Sequence, residues 1–299
     1  MTRVLAVDVG GTTIKAEVTS ADGEVIARGH RPTPRGHAAR DAVADLGRQL
    51  TARVPVGSAG VVIPGIVDLM AGTGRFSANV GWRDLPFVGP LAEAWGVPVH
   101  VGHDVSAAGL AEHAQGAGQG VRDLAFVAIG TGISAALIAG GRLLAGNGTA
   151  QPGELGHVVV RPGGPECGCG NRGCLEAVAS AAAIVRAYAE VAGERPDGAL
   201  AVFAAAARDP RARAVIDDAA RALADGLATL TALTAPQRIV LGGGLAGAGP
   251  ALVEPVAAAL AHRVRVQPVP QLVTARFGAR AGLAGAALLA RQSSIGPIG

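Results

Sequence analysis

Val4-Leu5-Ala6-Val7-Asp8-Val9-Gly10-Gly11-Thr12-Thr13-Ile14-Lys15-Ala16-Glu17-Val18 returns in outline as Leu124-Ala125-Phe126-Val127-Ala128-Ile129-Gly130-Thr131-Gly132-Ile133-Ser134-Ala135-Ala136-Leu137. Each stretch is an apolar run, a Gly/Thr tip and a second apolar run, which predicts a β-hairpin. Such a tip leaves backbone N–H groups and hydroxyls free to converge on an anion. A single Gly-Gly-Thr turn says little, but its return about 120 residues later marks an internal repeat and two α/β units. The copies differ where Asp8 in the first corresponds to Ala128 in the second, so only the first could help place a metal ion.

The rest of the chain suits that organisation. At 299 residues it is long enough for two domains. Hydrophobic residues make up 49%, charged residues 16% and aromatics 3%, so the cores must be built from Val, Leu, Ile and Ala. Gly, Pro or charge interrupts every apolar run well short of the roughly 18–20 residues that a membrane span needs. The chain passes from Met1 into a strand-like run with no apolar leader, so a cytoplasmic protein without a membrane partner is expected. The net charge of +3 is scattered rather than gathered in a stripe, which gives nucleic acid no evident footing.

All three cysteines, Cys167, Cys169 and Cys174, fall in Cys-Gly-Cys-Gly-Asn-Arg-Gly-Cys, and His157 stands before them in the pattern His-x9-Cys-x-Cys-x4-Cys. An odd thiol count argues against a disulfide framework. Three thiolates and an imidazole form a closed tetrahedral set for a structural Zn²⁺; the competing possibility is a group of free buried thiols.

A third glycine cluster, Gly242-Gly243-Gly244, follows the strand-like Arg238-Ile239-Val240 and precedes a helix expected at about Pro250 to Arg263. The missing side chains would let a nucleotide approach the backbone, although a tight strand-to-helix turn would look the same. Neither a Walker A loop nor a dinucleotide fingerprint is present. Val99-His100-Val101-Gly102-His103-Asp104 resembles a strand end before a helix at Val105–Gln115, so Asp104 on its own reads as an N-cap. Glu154 and Glu176 flank the cysteine segment. They are either carboxylates held still by the metal knuckle or solvated surface residues.

Taken together, these segments resemble the ROK group of bacterial sugar kinases, repressors and uncharacterised proteins, particularly its glucokinases, over nearly the whole chain. Asp8-Val9-Gly10-Gly11-Thr12 is similar to the first phosphate motif, Gly130-Thr131-Gly132 to the second, and Leu241-Gly242-Gly243-Gly244 to the adenosine motif. Glu154-x-Gly-His157 and Cys167-x-Cys169-Gly-x-x-Gly-Cys174-x-Glu176 resemble the family signature. The resemblance implies a two-lobed actin-like ATPase fold of the ribonuclease H-like type. Its smaller lobe would be residues 1–115 plus 280–299, closed by a helix near Arg280–Gln292, and its larger lobe 116–279 would carry the zinc knuckle. Further helices are expected at Ser180–Ala192, Leu200–Arg208 and Arg211–Leu233. The resemblance also implies ATP, Mg²⁺ and structural Zn²⁺, a homodimer or homotetramer, and phosphorylation of a hexose, glucose to glucose 6-phosphate first. Asp104 would be the catalytic base, with Gly65, Asn79, His103, Glu154, His157 and Glu176 at the sugar. Asp8, Gly10, Gly11, Thr12, Thr13, Lys15, Gly130, Thr131, Gly132 and Gly242 to Gly244 would serve the nucleotide.

One departure from the family bears on specificity. Asn-Asp-Ala-Asn usual around the base is His103-Asp104-Val105-Ser106 here. An imidazole in place of a carboxamide carries a different donor–acceptor set, so the expected alternatives are a kinase for an N-acetylated hexosamine or another sugar. A polyphosphate donor stays open. A regulator of the same group is disfavoured, because the phosphate motif begins within ten residues of Met1. A non-catalytic sugar sensor is disfavoured because base and phosphate motifs are all present.

Overall fold

The computed structural model describes residues 3–146 and 151–292, which divide into two compact units. The first unit comprises Met1–Ala111, Ala145–Gln151 and Arg280–Gly299, and the second Glu112–Leu144 and Pro152–Ala279.

The first unit begins with the quoted hairpin, β1 (Val4–Val9) and β2 (Thr13–Thr19), followed by β3 (Val25–Pro32), α1 (Ala38–Thr51) and β4 (Ser58–Ile63). Then come β5 (Ile66–Asp68), β6 (Thr73–Ser77), β7 (Trp82–Pro86), α2 (Val88–Trp95), β8 (Val99–His103) and α3 (Asp104–Gln115), whose residues from Glu112 on belong to the second unit. The main sheet has the order β3-β2-β1-β4-β8, antiparallel across β3, β2 and β1 and parallel across β1, β4 and β8. Alternation along β1 divides its side chains between two cores. Leu5, Val7 and Val9 pack with Val43, Leu46, Leu91 and Trp95 of α1 and α2, whereas Val4 and Ala6 face the opposite side. The small antiparallel sheet β5-β6-β7 and the helices α1 and α2 lie in a stretch that the glycine and cysteine motifs do not announce.

The second unit repeats this plan. Its strands β9 (Leu124–Ile129), β10 (Ile133–Ala139) and β11 (Arg142–Leu143) form the antiparallel part. After α4 (Leu175–Ala179), α5 (Ala181–Ala192), α6 (Ala199–Ala205) and α7 (Pro210–Thr234) come β12 (Arg238–Gly242), α8 (Pro250–Arg263) and β13 (Gln271–Thr274). The sheet order is β11-β10-β9-β12-β13, with β9, β12 and β13 parallel. The two sheets therefore share one topology, hairpin for hairpin and crossover for crossover. Sequence and structure agree on α8, because Pro250 is preorganised for a first helical turn and His262 and Arg263 suit the last. Helix α6 ends at Ala205, earlier than Arg208, and β12 continues through Gly242, so the first glycine of the third cluster is sheet rather than turn.

The last element, α9 (Ala281–Gln292), belongs to the first unit. Its Leu283, Ala286, Ala287 and Ala290 cover Val4, Ala6 and Val62 on the face that α1 and α2 leave bare. Alanines let the helix backbone lie close to the strands, and the buried Ser58 hydroxyl donates to the Ala290 carbonyl at 2.7 Å. Among the described residues, no helix is long and apolar enough to cross a membrane.

Candidate functional site

In the first unit the candidate residues gather at the C-terminal ends of the parallel strands β1, β4 and β8, the usual ligand edge of an α/β sheet. Asp8 is the penultimate residue of β1, Gly65 follows β4, and His103 and Asp104 form the junction of β8 and α3. The tip after β1 is a tight turn closed by Gly10 N–H donating to the Thr13 carbonyl at 3.0 Å. Thr33 braces it twice: its hydroxyl donates to the Gly10 carbonyl at 2.7 Å and its N–H to the Thr12 carbonyl at 3.0 Å. Gly11 and Thr12 remain exposed. Asn79, in the turn between β6 and β7, lies against Gly11, 3.7 Å from the position of a Cβ there.

Asp8 and Asp104 are both held well above the ordinary carboxylate range, at about 6. Burial is the main cause for each. The Asp104 charge raises Asp8 further, while Lys15, its cross-strand partner in the β1–β2 ladder, pulls it down. The Val105 N–H donates to Asp104 Oδ1 at 2.7 Å and favours the ionised form. Some 31% of the Asp104 side chain still reaches solvent, so the carboxylate sits in a recess rather than a sealed core. His103 Nε2 lies 3.2 Å from the same Oδ1, and its Nδ1 accepts the Ser106 N–H at 3.4 Å. Gly282, in the first turn of α9, has the room that Asp8 needs: a Cβ there would lie 2.6 Å from Asp8 Oδ2.

In the second unit the Gly130-Thr131-Gly132 tip is closed by Gly130 N–H donating to the Gly132 carbonyl at 2.9 Å. Gly243 stands beside it with φ +78°, and a Cβ there would collide with the Ile129 carbonyl at 2.4 Å. Any side chain would push the glycine-rich turn off the hairpin. Glu176, in the first turn of α4, accepts the Ile133 N–H on Oε2 at 3.0 Å, so it belongs to the base of the same hairpin. Gly244 and Thr131 are exposed next to these groups.

The four expected metal ligands come together. One ligand atom from each of His157, Cys167, Cys169 and Cys174 lies within 4.8 Å of all the others. Cys167 Sγ is 3.7 Å from His157 Nδ1, and Cys169 Sγ is 3.7 Å from Cys174 Sγ. Zinc bonds of about 2.0–2.3 Å at tetrahedral angles place ligand atoms about 3.5–3.8 Å apart, so this donor set fits the ion. The knuckle is shaped by Cys167 N–H donating to the Asn171 carbonyl at 2.8 Å and by bridges pairing Val159 with Cys174 and Glu166 with Arg172. Burial pushes the Cys174 thiol up to about 12, so it ionises readily only where a bound cation replaces the proton and stabilises the thiolate. His157 Nε2 is 3.8 Å from Glu154 Oε2, too long for a hydrogen bond but within ion-pair reach. Glu154 itself is 60% exposed.

The structure thus groups Asp8, Gly10 to Thr13, Lys15, Gly65, Asn79, His103 and Asp104 in one unit. Gly130 to Gly132, Gly242 to Gly244, Glu154, His157, Glu176 and the three cysteines stand in the other. Thr33 and Gly282 carry no signature of their own in the sequence, and the part of Ser106 as a partner of His103 is not announced there. They are recognised only through the tip, the imidazole and the carboxylate that they touch.

A five-stranded mixed sheet used twice, with a Gly/Thr hairpin at the ligand edge of each copy, defines the actin-like ATPase fold. The ROK family profile matches residues 4–293, and the chain belongs to the ROK family. It is 36% identical to a glucokinase of Halalkalibacterium halodurans, over 84% of this chain and 83% of that protein. It is also 36% identical to an N-acetylmannosamine kinase of Shigella flexneri, over 98% of this chain and 99% of that one. Among solved structures, a ROK family glucokinase from Streptomyces griseus in complex with glucose and AMPPNP is 32% identical, with a TM-score of 0.86 over 97% of this chain and 99% of that one.

Proposed function

We propose that this chain transfers a phosphoryl group from ATP to a hexose, glucose giving glucose 6-phosphate, with Asp104 as the base that takes the proton of the attacking hydroxyl. The observation that carries this reading is the carboxylate pair. Asp104 lies in a recess at the β8–α3 junction with its pKa at about 6, where a general base works well near neutral pH. Asp8, equally raised, stands just before an exposed glycine turn and is the carboxylate that Mg²⁺ would relieve of its unfavourable charge.

Phosphoryl transfer needs positioning and charge stabilisation more than covalent help from the protein. Gly10 to Thr13 and Gly130 to Gly132 offer backbone N–H groups and hydroxyls to phosphate oxygens, Gly242 to Gly244 a flat approach for the nucleoside, and Lys15 a positive charge. Gly65, Asn79, Glu154, His157 and Glu176 are assigned to the sugar. Zn²⁺ held by His157, Cys167, Cys169 and Cys174 would fix the loop that carries Glu154 and Glu176. The similarity to both a glucokinase and an N-acetylmannosamine kinase supports the transferase reading and makes the N-acetylated hexosamine the alternative substrate.

A Mg-ATP assay across glucose, mannose, N-acetylglucosamine and N-acetylmannosamine, reading kcat/KM for each, tests the proposal. One strongly preferred hexose is expected. Zinc-replete protein that turns over none of them refutes the kinase reading.

A further inference from the structure

His103 stands where a sugar-binding carboxamide is expected, yet both of its ring nitrogens have partners inside the chain. The Ser106 N–H donates to Nδ1 at 3.4 Å, and the Ser106 hydroxyl lies 3.3 Å from the same atom. A nitrogen that accepts an amide proton carries none of its own. In the neutral ring the proton therefore sits on Nε2, which lies 3.2 Å from Asp104 Oδ1. Only 12% of the imidazole side chain is exposed.

From this geometry we infer that His103 is a positioning residue for the base: its Nε2–H holds Asp104 Oδ1, and its contribution is to the orientation of the carboxylate rather than to recognition of the sugar. The inference rests on the role given to Asp104 above. Oδ1 accepts the Val105 N–H at 2.7 Å and lies 3.2 Å from the imidazole Nε2, so both groups are within reach of the same carboxylate oxygen. The Ser106 amide is in the first turn of α3, which makes the imidazole a strut between the helix start and the carboxylate. A carboxamide of Asn length could replace Nδ1 at the Ser106 end but would not reach Oδ1. The amide of Gln extends as far as Nε2 does.

The test is a pair of substitutions read two ways. His103→Asn is expected to lower kcat on the order of 10- to 100-fold, the cost of a misplaced catalytic group, with the KM for the sugar and the ranking of hexoses unchanged. His103→Gln is expected to restore most of kcat. In an Asp104→Asn background, His103→Asn should change the residual rate by less than about twofold, because the two side chains act as one unit. An unchanged kcat with a new ranking of hexoses overturns the proposal and makes His103 a sugar ligand.

The second reading is independent of phosphoryl transfer. In ¹⁵N-histidine NMR of the full chain above the imidazole titration, His103 is expected as the Nε2–H tautomer, its Nε2 resonance moving when Asp104 becomes Asn. A proton on Nδ1, or an Nε2 resonance that ignores Asp104→Asn, overturns the contact. A wild-type chain that phosphorylates no hexose would instead remove the kinase reading, while the spectrum still decides whether His103 holds Asp104.

Discussion

Asp8 and Gly282 approach so closely that a Cβ on the glycine would sit 2.6 Å from the carboxylate oxygen Oδ2. Gly282 is the second residue of α9, in its first turn, where the roughly 1 kcal/mol that Gly costs relative to Ala in a helix interior applies only in part, and its missing side chain makes room for the carboxylate. Gly282→Ala is expected to displace Asp8, raise the Mg²⁺ concentration needed for half-maximal turnover and lower kcat, while any gain in helix stability stays under about 1 kcal/mol. Titrating activity with Mg²⁺ at saturating ATP checks this. An unchanged Mg²⁺ dependence would remove Asp8 from the metal's surroundings.

Asp104 should show the opposite signs for activity and stability. In the unfolded chain its carboxyl ionises at 3.8 and in the folded chain at about 6, so between these values the folded state binds the extra proton and stability falls as pH rises. Holding the charge in the recess at neutral pH costs on the order of 1–3 kcal/mol. Asp104→Asn is therefore expected to lower kcat by roughly 10²–10⁴-fold and to make the chain more stable at pH 7.5, with a flatter stability profile between pH 4 and 6. In the wild type, kcat/KM should fall as pH drops through about 6, because the base is then protonated. A variant that is both inactive and less stable would point to misfolding instead of a missing base.

The parts of this protein that were legible in its sequence are those whose chemistry is local. A glycine tip between two apolar runs specifies a hairpin wherever it occurs, and both hairpins are found with the expected residues at their tips. Three thiols in one short segment can hardly avoid one another, and they meet His157 as the spacing requires. Pro250 and Arg263 mark the ends of α8 without help from the rest of the fold. What stayed hidden depends on partners distant in the chain. Nothing around Thr33 announces that it braces Gly10, and Gly282 looks like any helix glycine until Asp8 is placed beside it. Glu176 reads as a sugar ligand in the motif, but its hydrogen bond to the Ile133 amide appears only once α4 is packed against β10. His103 reads as a change of pocket chemistry, whereas the structure turns its Nε2 toward Asp104.

Metal removal tests the link between the cysteine knuckle and the second hairpin. Cys174 and Glu176 are two residues apart, and Glu176 Oε2 holds the first amide after the Gly130–Gly132 tip. Purified protein is expected to carry a single equivalent of zinc. Stripping it with a strong chelator should lower the unfolding temperature and raise the KM for ATP, and zinc, but not Mg²⁺, should restore both. Cys167→Ser should reproduce the stripped state, since a hydroxyl does not replace a thiolate in a closed tetrahedral site. Metal-free protein with full thermal stability would rule out the structural role.

Glu112 offers a test of the scaffold that leaves the proposed catalytic residues untouched. Its side chain is fully buried, and its carboxylate accepts three backbone amides: Ala117 at 2.8 Å and Arg276 at 3.1 Å on Oε2, and Phe277 at 2.8 Å on Oε1. An acceptor-only group surrounded by donors tolerates no amide, because the NH₂ of Gln would face an N–H that has lost its partner. Glu112→Gln should therefore destabilise the second unit by about 2–4 kcal/mol, more than an ordinary hydrogen bond, since a buried donor is left unpaired. Hydrogen exchange resolves the effect locally: the amides of Ala117, Arg276 and Phe277 are protected in the wild type and should open in the variant before those of β9 and β12. Equal protection in both proteins would mean that the turn at Arg276–Phe277 is held by its backbone alone and that the carboxylate contributes nothing to it.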